Sequence, residues 1–185
     1  MHDNRILHRK RIAKSFKILV ENDSFSSISV TKIMKHAGIR RQTFYNYFYD
    51  VYDLTEWIFS QDLSEIITDN LEYHQWNTII SNLIHYFDDN KNYYSKIFSY
   101  TQQNNFISYL KIQIHELLKK IYLENLQSIP KAYESHIIFQ TNAIVFTIND
   151  WITSFRDFNS YYNEIDAAQL AKELVLYINT IIPKS

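Results

Sequence analysis

The sequence predicts an all-α protein, and two observations point to that fold class. The 185 residues include one glycine and two prolines, whereas β-sheet proteins use glycine widely in turns and bulges. Apolar side chains recur at three- and four-residue spacing along most of the chain, which is typical of helices with one buried face. We therefore expect about nine helices joined by polar loops.

The first three helices fall within the first fifty residues. Apolar residues interleaved with lysine and arginine predict a helix over roughly 5–21. Ser29 is a good N-cap for a short second helix over 30–36, and a third is expected over about 40–46. Gly38, the one glycine, directly follows the second helix, where a left-handed terminator is expected. Two short helices joined by a glycine turn form a helix-turn-helix motif.

The remaining chain predicts six further helices. They are expected over about 50–71, 76–88, 93–99, 106–126, 131–155 and 165–181. Pro130 is well placed to open the eighth helix. The sequence therefore predicts two domains, a three-helix domain with the helix-turn-helix over 4–54 and a larger helical domain over 55–182.

Charge is distributed unevenly between these parts. Residues 1–50 contain ten Lys or Arg and four Asp or Glu, a net of +6, and residues 51–185 contain nine and sixteen, a net of −7. This asymmetry suggests that the first segment meets a polyanion. The alternative is a lysine-rich surface helix that only keeps the protein soluble.

Several classes of protein are excluded by composition. The chain has no cysteine, which removes disulfide scaffolds, thiol nucleophiles and cysteine-ligated metals. A single glycine cannot build a phosphate-binding loop or a dinucleotide fingerprint. His115-Glu116 begins like a zinc-protease helix, but Lys119 stands where the second histidine is required. Since no phosphate loop, nucleophile–base pair or metal cluster is legible in the sequence, we expect a non-enzymatic protein without a cofactor. No apolar run reaches signal-peptide or membrane-spanning length, so we also expect a cytoplasmic protein without a membrane partner.

The third helix carries side chains suited to reading DNA. Arginine, glutamine and asparagine can form paired hydrogen bonds with base edges in the major groove, while the first helix and the start of the second could contact phosphates. The predicted DNA-binding residues are Lys10, Arg11, Ser29, Thr31, Arg40, Arg41, Gln42, Thr43, Tyr45, Asn46 and Tyr47. In the alternative reading, Arg40 and Arg41 are solvated surface and the aromatic residues are only core.

Residues 25–54 resemble the helix-turn-helix of the TetR family of bacterial transcriptional regulators. The resemblance rests on Phe25, Ser29-Val30, Ile33, Ala37-Gly38-Ile39, Thr43, Tyr45, Phe48 and Leu54. The chain departs from the family pattern at Ser24, where glycine is usual, at Arg40 and Gln42, where small residues are usual, and at Val51, where a phosphate-binding lysine is usual. The string over 40–48 is similar to a branch that includes dihydroxyacetone kinase operon activators and zinc-responsive streptococcal activators.

The resemblance implies a homodimer that binds a palindromic double-stranded DNA operator. It places the dimer contact in the last two helices, where several apolar residues fall on more than one face. These are Ile137, Phe139, Ala143, Phe146, Trp151, Leu170, Leu174, Tyr177, Ile178 and Ile181. A monomeric bundle that surrounds these helices with its own chain is the alternative.

The resemblance also implies that the larger domain senses a small-molecule or metal effector. The expected pocket residues are Trp76, Phe87, Tyr94, Phe98, Phe106, His115 and Trp151, although aromatic residues at helical spacing are also ordinary core. A zinc site would need His74, His85, His115 and His136 to converge with Asp88 or Glu116. Such scattered histidines are usually surface residues, and no metal-binding residue is assigned.

Two functions of different classes follow. The first is a dimeric, sequence-specific DNA-binding regulator, with repression or activation undecided. The second is a helical carrier or enzyme that holds a small molecule in an aromatic pocket and has no role on DNA.

Overall fold

The computed structural model describes residues 2–100, 104–126, 128–154 and 164–182, and within these ranges all regular structure is helical. The all-α prediction is confirmed. The α-helices are α1 (His2–Asn22), α2 (Val30–Ala37), α3 (Val51–Ile66), α4 (Trp76–Asp89), α5 (Lys91–Tyr100), α6 (Asn104–Asn125), α7 (Lys131–Ser154) and α8 (Ala167–Ile181). Short 3-10 segments cover Phe25–Ser27, Arg41–Asn46 and Thr68–Asn70. In the part of the chain so described, no helix combines the length and apolar character needed to cross a bilayer.

The chain divides into two compact units. Unit 1 comprises Met1–Phe59 and Asn92–Gln102, and unit 2 comprises Ser60–Lys91 and Gln103–Ser185. The predicted domain boundary between residues 54 and 55 lies close to the end of the first range. Unit 1 also takes in most of α5, however, which was predicted to belong to the larger domain.

Aromatic contacts explain why α5 belongs to unit 1. The ring of Tyr93 packs edge-on against Phe16 of α1, with centroids 6.2 Å apart, and the ring of Tyr94 stacks on Phe59 at 5.9 Å. Phe16, Tyr93 and Tyr94 are fully buried. Since these contacts join residues far apart in sequence, helical periodicity alone does not reveal them.

The turn after α2 holds the helix-turn-helix together. Ser29 caps α2 as predicted, because its hydroxyl accepts a hydrogen bond from the amide of Lys32 at 3.2 Å. Gly38 adopts the left-handed conformation, with φ 65° and ψ 33°. Its amide donates to the carbonyl of Lys35 at 3.1 Å, and the amide of Ile39 donates to that of Met34 at 3.0 Å. These two bonds form a Schellman motif, which ends the helix and redirects the chain.

The third predicted helix is present as a 3-10 helix, which we call the recognition segment (Arg41–Asn46). Its bonds include the amide of Thr43 to the carbonyl of Arg40 at 3.0 Å and the amide of Tyr47 to that of Phe44 at 2.9 Å. Six residues complete fewer than two α-helical turns, and 3-10 geometry is common in such short pieces. Burial of Phe44, which is fully enclosed, supplies the tertiary contact that holds the segment.

Unit 2 is built on two helix pairs, in which α4 packs against α8 and α6 packs against α7. Tyr122 of α6 is buried, and its hydroxyl donates to Oε1 of Gln140 at 2.9 Å and to the carbonyl of Ile181 at 3.3 Å. The indole Nε1 of Trp151 donates to the carbonyl of Ile165 at 3.0 Å. These bonds connect α6 with α7 and with the end of α8, and α7 with the segment just before α8.

We expect Gly38→Ala to destabilise the protein by about 1–2 kcal/mol, the cost of a left-handed conformation for a residue with a Cβ. A Cβ at this position would also lie 3.0 Å from Nη2 of Arg11, so that side chain must shift. Urea unfolding measures the loss. Gly38→Asn is the matched variant and should cost less, since asparagine tolerates this conformation; equal losses would contradict the conformational explanation.

We expect Tyr122→Phe to lower the free energy of unfolding by about 1 kcal/mol, because the variant leaves two acceptors without their donor. Burial raises the pKa of Tyr122, and the neighbouring Tyr133 and Tyr177 act in the same direction. The neutral phenol is therefore favoured in the folded state.

The pH dependence of the stabilisation by Tyr122 follows from the upward direction of its pKa shift. An unfolded tyrosine ionises near pH ~10, so the contribution is complete below that pH and is lost as pH rises through the raised folded pKa. Unfolding measured from pH 8 to 11 should show a steeper decline for the parent than for Tyr122→Phe. Parallel curves would reject this assignment.

Candidate nucleic-acid interface

Two buried aromatic rings anchor the recognition segment in unit 1. Phe44 and Phe48 are 0% and 3% exposed, and their ring centroids lie 5.5 Å apart. The ring of Phe48 in turn meets Trp57 of α3 at 5.7 Å. Phe44 and Phe48 lie four residues apart, so the burial of their rings fixes the position of the polar residues between and before them.

Most of the side chains predicted to read DNA bases are exposed on the recognition segment. Arg40, Arg41, Gln42, Tyr45 and Asn46 are all exposed, whereas Thr43 is half-buried. Nη2 of Arg41 donates to the hydroxyl of Tyr45 at 3.5 Å, and the Tyr45 ring, 54% exposed, packs edge-on against Phe44. The segment therefore presents a guanidinium, two amides and a phenol to solvent.

Tyr47 contacts another side chain inside unit 1. Its hydroxyl lies 2.9 Å from Nδ1 of His8 in α1, and the two rings meet edge-on at 5.9 Å. The side chain is half-buried. His8 was not among the predicted site residues, because nothing in the local spacing indicates that α1 reaches the recognition segment.

The residues predicted to contact phosphates are exposed on α1 and at the start of α2. They are Lys10, Arg11, Ser29 and Thr31. Nη2 of Arg11 lies close to Gly38, so α1 and the turn present their polar groups side by side.

Two further arginines of α1 lie near these residues but were not among the predicted DNA-binding residues. Arg5 and Arg9 line a cleft of about 330 Å³ together with Ile6, Asn46 and Tyr47. The guanidinium carbon of Arg9 lies 5.7 Å from the ring centroid of Phe48 and 5.9 Å from that of Trp57. Arg5 and Arg9 are four residues apart, which places both on one face of a helix. This spacing is the sequence signal that could have identified them.

The predicted effector-pocket residues do not share one unit. Tyr94 and Phe98 belong to unit 1, while Trp76, Phe87, Phe106, His115 and Trp151 belong to unit 2. Phe87 and Phe106 are fully buried and in ring contact at 5.8 Å. Trp151 is buried as well, and Trp76 and His115 are half-buried. Ligand binding by this set stays a prediction.

One predicted pocket residue does line a groove. The groove lies between α6 and α7 and has a volume of about 290 Å³. It is lined by Lys111, Ile112, His115, Glu116, Ile138, Thr141 and Asn142. Ile112 and Ile138 are 58% and 50% exposed, which gives the groove apolar walls and a polar rim. Among the described residues no three histidine or acidic side chains are grouped closely enough to hold a metal ion.

Comparison with known proteins assigns the chain to a family. A TetR-type family model, described as the transcriptional regulator C-terminal region, matches residues 74–161. The dhaKLM operon transcriptional activator DhaS of Lactococcus lactis subsp. lactis (strain IL1403) is 42% identical over 119 residues, or 64% of this chain. That alignment spans 63% of the Lactococcus protein, slightly less than two thirds of its length.

Solved structures extend the match over nearly the whole chain. The dihydroxyacetone kinase operon activator DhaS is 31% identical, covers 96% of this chain and 99% of its own, and superposes with a TM-score of 0.76. The chain belongs to the TetR family of transcriptional regulators. The TetR-family repressor AlkX of Dietzia sp. strain DQ12-45-1b, with 14% identity, a TM-score of 0.59 and coverage of 94% and 98%, agrees in fold.

Membership of the TetR family selects between the two functions derived from the sequence. The relatives are named as transcriptional regulators or operon activators. Regulators of the TetR family bind DNA, act as dimers and are not enzymes. The helical carrier or enzyme is therefore not favoured. In TetR-family terms, α2, the Gly38 turn and the recognition segment form the helix-turn-helix.

Proposed function

We propose that this chain regulates transcription by binding a palindromic DNA operator as a homodimer, with the recognition segment reading bases in the major groove. The observation that carries this proposal is the exposure of Arg41, Gln42 and Tyr45 on a segment whose Phe44 and Phe48 are buried. Arginine pairs with guanine and glutamine with adenine across two hydrogen bonds each. Such a protein acts on the chromosome, in the bacterial cytoplasm.

The remaining exposed polar groups support a division of labour. Lys10, Arg11, Ser29 and Thr31 serve phosphates, which positions the motif without reading sequence. Arg40 and Asn46 flank the base-reading residues in sequence, and the half-buried Thr43 lies between Gln42 and Tyr45. The excess of basic residues in the first fifty, against an acidic remainder, concentrates the electrostatic attraction for DNA on unit 1.

We place the dimer contact on α7 and α8. Of the apolar residues predicted there, Ile137, Trp151, Leu170, Leu174 and Ile178 are buried in the chain's own core. Phe139 and Phe146 remain 68% and 48% exposed on α7, and Leu176 and Tyr177 are exposed on α8. Ala143, between the two phenylalanines, shares a surface groove with Tyr177. An exposed apolar face of this kind is typical of a protein interface.

The names of the relatives suggest the regulatory direction and target. DhaS is an operon activator in both comparisons, so we propose activation of a dihydroxyacetone kinase operon.

We propose that an effector with an apolar part binds the α6–α7 groove, where Ile112 and Ile138 form the walls and His115 and Asn142 the polar contacts. Phe87, Phe106 and Trp151, which are buried, are core residues in this proposal.

Arg41→Ala and Gln42→Ala are each expected to cost about 1–3 kcal/mol in operator affinity and to relax preference at one base position. Titration of each variant against the upstream region of the operon and its single-base changes measures both effects, with half-site centres expected about 34–36 Å apart or slightly more. Tyr73→Ala, which alters an exposed tyrosine of unit 2, is the control. Unchanged affinity and base preference in both variants would reject the reading role.

Phe139→Glu is expected to convert the dimer into a monomer, because it places a charge on the proposed apolar interface. Light scattering after size-exclusion chromatography gives the mass, and operator affinity should fall with it. Leu123→Glu is the matched control, since Leu123 of α6 is 51% exposed and lies outside the α7–α8 face. A dimeric Phe139→Glu protein would place the interface elsewhere.

A further inference from the structure

The cleft between α1 and the recognition segment contains an arginine that folding has already oriented. The guanidinium of Arg9 lies over both Phe48 and Trp57, at 5.7 and 5.9 Å from the ring centroids. Its Nε is buried and has no hydrogen-bond partner in the chain. A buried polar atom without a partner is costly, and one beside a cleft calls for an explanation such as a bound water or ion.

We propose that Arg9, together with Arg5, Asn46 and Tyr47, binds one phosphate of the DNA backbone in each subunit. This inference rests on the proposed function and adds a contact to it. Arg9 acts as the fixed component of the site, because its contacts with two rings restrict the rotation of the side chain. A guanidinium held in place loses less entropy on binding an anion than a free one does.

The lining of the cleft matches the chemistry of a phosphate. Arg5 and Arg9 supply two cations, Asn46 supplies an amide donor, and none of the five lining residues is acidic. Arginine binds phosphate through two parallel hydrogen bonds. The cleft, at about 330 Å³, is open enough for a phosphodiester to enter.

Tyr47 adds a donor whose direction is set by His8. The two side chains share a hydrogen bond of 2.9 Å. When Nδ1 of His8 carries the proton, the phenol oxygen accepts it and the phenol hydrogen is free to be donated to a phosphate oxygen. In that tautomer His8 acts as a positioning residue for Tyr47.

A phosphorylated small molecule carries the same chemical group, but the position of the cleft favours DNA. Two of its lining residues, Asn46 and Tyr47, are the last of the recognition segment and the residue that follows it. A segment that enters the major groove brings its ends close to the backbone that borders the groove.

Arg9→Met tests the site, because methionine retains an apolar stem against the rings and removes the guanidinium. Affinity for operator and random duplexes, measured by fluorescence anisotropy from low to high salt, should fall by at least about tenfold. The slope of log K against log salt should decrease by about one unit per subunit. Arg9→Lys should retain the slope while losing affinity, and Lys172→Ala, which removes one exposed charge from α8, should change neither.

Arg5→Ala is the second variant, since Arg5 is exposed and its replacement leaves the core intact. It should lower the slope in the same way even where Arg9→Met perturbs folding. Unchanged slopes in Arg5→Ala and in a folded Arg9→Met protein would overturn the proposal. Saturable binding of inorganic phosphate that needs Arg9, with an unchanged DNA slope, would also overturn it and would assign the cleft to a free phosphate compound.

Failure of the proposed function gives a different result. A parent protein that binds operator and random duplex equally lacks base reading, whatever happens at Arg9. A parent with normal base preference and an Arg9→Met variant of unchanged slope would remove the phosphate site alone. Where both proposals hold, Arg9→Met weakens every duplex alike and Arg41→Ala changes base preference.

Discussion

The left-handed turn at Gly38 is the constraint on which the proposed DNA-binding surface depends. Without it, α2 would continue in its own direction, and the next residues would lie along its axis. The two hydrogen bonds of the turn end the helix within one residue, and the chain then enters the recognition segment with Phe44 directed into the core. Every exposed polar side chain of that segment takes its place from this reversal.

The helix-turn-helix could be predicted closely because its signals are local. Ser29 was expected to cap α2 and does so, and Gly38 was expected to be left-handed and is. Both depend on backbone groups within a few residues, where the residue type restricts conformation directly. Most helix ends were found within about three residues for the same reason. The exception in kind is the segment expected as a third helix over 40–46, which takes 3-10 geometry because tertiary anchors outweigh propensity in so short a piece.

Contacts between distant parts of the chain could not be predicted. Arg9 over Trp57, His8 with Tyr47 and Tyr93 against Phe16 each join elements separated by many residues. Helical periodicity says which face of a helix is apolar, but not which partner covers it. The aromatic residues assigned to an effector pocket illustrate this limit. Their spacing fits both a ligand site and a packed core, and the described contacts of Phe87 with Phe106 are those of packing.

The packing of α5 in unit 1 sets an order of events during synthesis. Phe16 and Tyr93 are 77 residues apart and fully buried against each other. At about 5–20 residues per second, the ribosome needs several seconds between adding one ring and adding the other. Throughout that interval the apolar surface of α1 is incomplete, and a nascent chain ending at residue 59 lacks the aromatic pair that closes its core. Unit 1 is therefore finished only after the first part of unit 2 has already been made.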